Sequence, residues 1–201
     1  SYYKTRNNSG IWGRLSFLVF IIILGLESAR QAVASLKKGR RIEELEQFAL
    51  NDSMTGFYNR NAYDYFIYNE KNIKNYMVVT FDLSNLKTCN DNYGHSSGDA
   101  YIIHSAHIIE TTFDRFGKCY RIGGDEFCCL IPDAAEFQIE RFIQKMQQDI
   151  AILNNKNIIP TEVGIACGYA LATPDDADIE KVRERADEMM YHNKKVLKGL
   201  I

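Results

Sequence analysis

The sequence predicts an α+β fold: a ferredoxin-like, palm-like βαββαβ core with a central antiparallel sheet and flanking helices, preceded by an N-terminal helix. Three observations carry this. Residues 76–83, YMVVTFDL, form an apolar, β-branched run that only Asp82 interrupts, the pattern of a buried strand. Two further apolar runs, KCYRI (118–122) and FCCLI (127–131), flank a short turn, as the arms of a hairpin do. Segments with helical spacing of apolar residues, 98–113 and 133–153, lie between the first strand and the hairpin and again after it. Right-handed crossovers then set the first strand beside the hairpin in one sheet.

Taken in order, residues 1–28 form an N-terminal segment whose stretch LSFLVFIIILGL (15–26) has ten strongly apolar residues in twelve. That run is apolar on every face, unlike a surface helix with a single stripe. It is shorter than the roughly 20 residues that span a bilayer. Residues 11–26 are therefore read as the remnant of a transmembrane helix. Residues 29–50 follow as a linker helix. Arg30, Lys37, Lys38, Arg40 and Arg41 place this side in the cytoplasm by the positive-inside rule, and Ile42, Leu45 and Ala49 draw an apolar seam. From residue 51 to 201 the texture is that of a compact domain. Residues 60–71 have helical spacing of aromatics, 162–173 read as another strand, and 178–198 as a terminal helix.

With 201 residues, 46% hydrophobic and 25% charged, the chain can bury a full core, and its net charge of −2 argues against a nucleic-acid partner. The five cysteines show no CxxC spacing, so they read as reduced thiols in a core and not as a zinc site. His104 and His107 lie three apart on a predicted helix with no further ligand to complete a metal site.

The chemistry concentrates in RIGGDEF (121–127). Gly123 and Gly124 are expected to supply the positive φ of a tight turn and to let a bulky group approach the backbone. Asp125 and Glu126 are adjacent like charges, which a cation would relieve. Asp82 ends the strand expected next to this hairpin, so three carboxylates can converge on an oxygen-only site suited to Mg²⁺, with phosphates completing its shell. In residues 83–102, Gly94 and Gly98 bracket a polar loop that is expected to open a helix at 98, whose amide end favours anions. Lys87 can reach phosphate there, and Asn90 and Asp99 are paired hydrogen-bonding groups.

Four stretches, DSMTGFYNR (52–60), FDLSNLKTCNDNYGHSSGD (81–99), RIGGDEF (121–127) and ADEMMYHNKK (186–195), resemble in order and spacing the GGDEF family of diguanylate cyclases. The resemblance covers residues 51–201. It implies that two GTP molecules condense to cyclic di-GMP with release of pyrophosphate, across a homodimer of facing domains. It implies Mg²⁺, with Mn²⁺ as a substitute, held by Asp82, the Leu83 carbonyl, Asp125 and Glu126. Asp125 or Glu126 would take the 3′-hydroxyl proton, and the sequence leaves that choice open. Asn90 and Asp99 would read guanine, His95 would sit at the substrate, and Lys87, Lys194 and Lys198 would neutralise phosphates. The protein would then lie at the inner, cytoplasmic membrane with this domain in the cytoplasm, or be cytoplasmic if the N-terminal segment does not span. A catalytically silent GTP-binding regulatory module is the alternative.

Several positions depart from the family pattern. Ser84 stands where many members carry Asp, Leu86 where Phe is usual, and Leu197–Lys198 where Gly-Arg is usual. The inhibitory product site, RxxD upstream of the turn, is absent, because its positions hold Asp114 and Gly117 and Arg115 is one residue out of register.

Overall fold

The computed structural model describes the backbone of residues 2–70, 72–134 and 138–197, and the side chains of these residues other than 2–11, 39–47 and 197. The chain divides into two compact units, Ser1–Gln47 and Phe48–Ile201.

The first unit is carried by α1 (Tyr2–Leu50), one helix where the sequence suggests a short apolar segment and a separate linker. Glu27 closes the apolar run in the sequence, yet its side chain is exposed and paired with Arg30 on the helix surface, so the helix passes through it. Trp12–Lys38, 27 residues with none buried, contain an 18-residue stretch of mean hydropathy 1.8 and are long and apolar enough to cross a membrane. Of the expected seam, Ala49 is exposed, whereas the side chains of Ile42 and Leu45 lie outside the described residues, as do those of Arg40 and Arg41.

The second unit holds α2 (Arg60–Asn69), β1 (Met77–Ser84), α3 (Leu86–Tyr93), α4 (His95–Phe113), β2 (Lys118–Arg121), β3 (Glu126–Ile131), α5 (Ile139–Asn155), β4 (Gly164–Leu171) and α6 (Ile179–Leu197). The strands form one antiparallel sheet in the order β2-β3-β1-β4. This is the ferredoxin-like arrangement that the sequence predicts, with β1 between the hairpin and β4. All eight residues of β1 are buried, which explains its lack of polar alternation.

Successive side chains of a strand point to opposite faces. Val79, Phe81 and Leu83 join Cys129, Ile131 and Ile165 in the core beneath α4 and α5. Val78 joins Leu130 and Ala170 in a second core beneath α2 and α6. By the same alternation Asp82 turns toward the face that α6 covers. Gly168 of β4 sets how closely α6 approaches, because a Cβ there would lie 2.2 Å from both Ala186 O and Met190 N. No side chain fits between the strand and the helix backbone.

Two local expectations change. The loop expected between Gly94 and Gly98 is already helical, and residues 86–93 before it form helix α3. Asn85 in the left-handed region (φ 66°) starts it, and Gly94 (φ 82°) both ends it and precedes α4, which opens at His95 and not at Gly98. Cys119 and Cys129 face each other in register across the hairpin and form a disulfide, whereas Cys89, Cys128 and Cys167 are free and buried as expected.

Candidate active site

The hairpin turn spans Ile122–Asp125 between β2 and β3. Its backbone is closed by Ile122 N–H donating to Glu126 O at 3.0 Å and Gly123 N–H to the same oxygen at 3.3 Å. Neither Gly123 nor Gly124 has positive φ, contrary to the expectation from the sequence; among the described residues the glycines with positive φ are Gly56 and Gly94. The reason for glycine here is space. A Cβ on Gly123 would stand 2.9 Å from Glu126 Oε2, and one on Gly124 would project into open space beside the carboxylates. The first glycine admits the Glu126 side chain, and the second faces open space.

The sheet brings the acids to one corner. Asp82 pairs with Glu126 across the β1–β3 ladder, and the Leu83 N–H donates to Asp125 O at 3.0 Å, which pins the turn to the end of β1. Asp82 is buried, Asp125 half-buried and Glu126 exposed. Asp82 Oδ1 is met by an ion pair and not by a directed hydrogen bond. Lys194 Nζ stands 2.5 Å from it at ion-pair distance but without hydrogen-bond directionality. Among the described residues no three His, Cys, Asp or Glu side chains are drawn into a ready-made metal cluster. A hard cation that takes most of its shell from phosphate and water needs only one or two protein carboxylates. A buried carboxylate oxygen whose charge is met by a single ammonium, set among oxygen ligands, fits such an ion.

Asn90 of α3 and the start of α4 meet across the Gly94 break. Gly94 N–H donates to Asn90 O at 2.9 Å, and a Cβ on Gly98 would lie 1.9 Å from Asn90 Oδ1. Gly98 therefore exists to admit the Asn90 amide, which sets that amide beside the residue preceding Asp99. Asp99, Lys87 and His95 are exposed. The structure thus brings Asp82, Leu83, Asp125, Glu126 and Lys194 to one place and sets Asn90 against the N-terminal end of α4, which carries Asp99. Lys198 lies outside the described residues.

Two residues at this corner escaped the sequence reading as partners. Arg121, at the end of β2, donates from Nη2 to Gly124 O at 2.8 Å and from Nη1 to Asp52 Oδ1 at 3.1 Å. Burial pushes the Asp52 carboxyl up, but hydrogen bonds from Thr55 and then the Arg121 guanidinium outweigh it, so the carboxyl lies below its ordinary range. One cation thereby ties the turn to the entry of the domain. The available signal was an arginine at the end of an otherwise apolar strand, which requires an acceptor when half-buried. Tyr101 of α4 is the other: buried, it hydrogen-bonds Ser84 O through its hydroxyl and accepts from Gly164 N–H at 2.7 Å, fastening α4 to the ends of β1 and β4.

The family model for the diguanylate cyclase GGDEF domain matches residues 49–198. Among curated proteins, the diguanylate cyclase DgcN of Escherichia coli is 31% identical over 157 residues, which are 75% of this chain and 38% of that protein. The diguanylate cyclase DgcS of Shewanella oneidensis is 26% identical over 168 residues, 79% of this chain and 54% of that protein. The chain thus spans little more than half of these relatives, or less. Among solved structures, the coiled coil and GGDEF domain of DgcB from Caulobacter crescentus, in complex with c-di-GMP, superposes with a TM-score of 0.70 at 23% identity, covering 84% of this chain and 94% of that one. At that identity the likeness speaks for the fold.

Proposed function

We propose that this chain, which belongs to the GGDEF family of diguanylate cyclase domains, condenses two molecules of GTP into cyclic di-GMP. The observation that carries the reading is the corner where buried Asp82, its Oδ1 met by Lys194 alone, meets the turn bearing Asp125 and Glu126. Each 3′-hydroxyl attacks the α-phosphate of the other GTP. A P–O bond forms at that phosphorus, its bond to the β-phosphate oxygen breaks, and pyrophosphate leaves. The hydroxyl proton passes to Asp125 or Glu126. Asp99 accepts from the ring N–H and amino group of the guanine edge, and Asn90 donates to and accepts from that edge. His95 stands at the substrate, while Lys87, Lys194 and Lys198 balance phosphate charge.

Asp82, the Leu83 carbonyl, Asp125 and Glu126 would hold Mg²⁺, or Mn²⁺ in its place, which when bound neutralises the triphosphate and polarises the reacting phosphoryl group. One domain has one such corner, so reaction requires two domains face to face, as a homodimer. The span Trp12–Lys38 would tether the chain to the cytoplasmic membrane with the GGDEF domain in the cytoplasm, where a signal could act by changing how the domains meet. Product inhibition through an RxxD site is not expected. Gly117 occupies its acidic position, and any Cβ there would lie 2.2 Å from Leu130 O, inside the backbone of β3.

The test is incubation of the 201-residue chain in detergent with GTP and Mg²⁺, following nucleotides by chromatography and mass. Cyclic di-GMP formed at a rate steeper than linear in protein concentration supports the cyclase and its dimer. GTP bound but unchanged at every concentration overturns it in favour of the silent regulatory module.

A further inference from the structure

We propose that Lys194 is the resident countercharge of Asp82, which a divalent metal must displace, so that metal and triphosphate enter the site as linked ligands. The inference rests on the reading of Asp82 as a metal ligand. It goes beyond that reading in assigning Lys194 a task before substrate arrives.

The placement is built into the fold and does not depend on a flexible surface contact. The Asp82 and Lys194 side chains are 11% and 23% exposed, so the pair is shielded from the solvent that weakens surface ion pairs. The helix that delivers Lys194 cannot slide away easily. At Gly168 the backbones of β4 and α6 touch, and next to Lys194 the Asn193 Nδ2 donates to Cys167 O at 2.8 Å. These two contacts fix the height and rotation of α6 over the sheet, and strand alternation turns Asp82 to meet it.

A buried carboxylate without a cation is costly, and Lys194 removes that cost. The same ammonium repels an incoming divalent ion and occupies its place at Oδ1. It meets Oδ1 as a single ion-pair contact at 2.5 Å, the one contact a divalent ion has to displace there. When a metal takes Asp82, Lys194 is released at the end of a fixed helix and needs a new anion, which a triphosphate supplies. Metal alone is then a poor ligand and metal with nucleotide a good one, a reciprocal coupling between the two sites.

The experiment is titration of the nucleotide-free 201-residue chain in detergent with Mn²⁺, with the free ion read by electron paramagnetic resonance. Lys194→Met is expected to bind Mn²⁺ about tenfold more tightly than wild type, within the usual range of couplings between linked sites. Lys194→Arg should bind like wild type, and Asp82→Asn should lose the site. A lysine with a merely structural role would not tighten the metal on removal. Should the methionine variant fail to fold by circular dichroism, Lys194→Gln replaces it, with the same expectation. Unchanged or weaker Mn²⁺ binding in the Lys194 variant, with binding lost in Asp82→Asn, overturns the proposal and leaves the metal site standing. Undiminished binding in Asp82→Asn overturns both.

Discussion

On one face of the sheet, Val79, Phe81 and Leu83 of β1 meet α4 and α5 in a continuous apolar core that contains Ile109, Phe113 and Met146. On the other, the same strand offers Val78, Thr80 and Asp82 to α2 and α6, and charge runs along the interface. There Tyr63 donates to Glu180 at 2.9 Å, Arg183 pairs with Glu180 and Asp187, and Lys194 meets Asp82. Burial pushes the Asp187 carboxyl up, and Arg183 opposes it. One strand thus serves two environments by alternation alone. The apolar face fixes the sheet by burial, whereas the charged face holds ionised groups where a ligand can exploit them. Stability and chemistry should therefore respond to different substitutions on the two faces.

Asp82→Asn should separate them most sharply. The variant keeps the shape of the side chain and loses its charge, so we expect formation of cyclic di-GMP to fall by about a thousandfold or more, the scale of losing a group that organises charge at a reacting phosphate. Its circular dichroism should stay that of wild type. Phe113→Ala is the mirror image, deleting a fully buried ring that packs in a tilted arrangement on Phe81 with centroids 5.3 Å apart. It should cost about 3–5 kcal/mol in urea unfolding. The activity that remains in its folded fraction should show an unchanged KM for GTP. If Phe113→Ala raised KM strongly, the two faces would not be independent.

Gly168→Ala tests the joint between them. A methyl at the β4–α6 contact pushes the helix backbone away and moves Lys194 with it. We expect about 1–3 kcal/mol of destabilisation from overpacking. We also expect about a hundredfold loss of turnover from misplacing the helix by roughly an ångström. An unchanged turnover with lowered stability would mean that the position of α6 does not govern the site.

Much of this was legible in the sequence because burial writes itself into residue order. YMVVTFDL announced β1, and the aliphatic periodicity of α4 and α6 gave helices close to their observed limits. The acidic turn and Asp82 could be joined because antiparallel pairing of neighbouring runs is a strong prior. What stayed hidden was set by geometry at long separation or by a composition that points the wrong way. KTCNDNYG is rich in turn formers, yet the left-handed Asn85 and Gly94 that bracket it leave room for a helix between them. Gly98, Gly123 and Gly168 carry no mark that separates conformational need from the need for space. Only the atoms around them do so. The Asp52–Arg121 pair joins residues 69 apart, and nothing local in either stretch names the other.

Tyr101→Phe sharpens the comparison at its finest grain, because this residue of the apolar face reaches polar backbone at the end nearest the site. Removing the hydroxyl leaves the Ser84 carbonyl and Gly164 amide without that partner, a loss of about 1–2 kcal/mol at neutral pH. Burial pushes the Tyr101 hydroxyl up from 10.0 to about 12, against the opposing pull of the Gly164 hydrogen bond. A raised folded value means that the contribution is fully present below the unfolded pKa and is lost as pH rises through the folded one. Wild type should therefore lose about 2–3 kcal/mol relative to the phenylalanine variant between pH 10 and 12. The other buried tyrosines are common to both proteins and cancel in the difference. Urea unfolding of the two proteins at stepped alkaline pH should show their stabilities converging from pH 10 upward and crossing by pH 12. Parallel curves would mean that Tyr101 ionises as freely in the folded chain as in the unfolded one, and that the apolar face stays wet at its catalytic end.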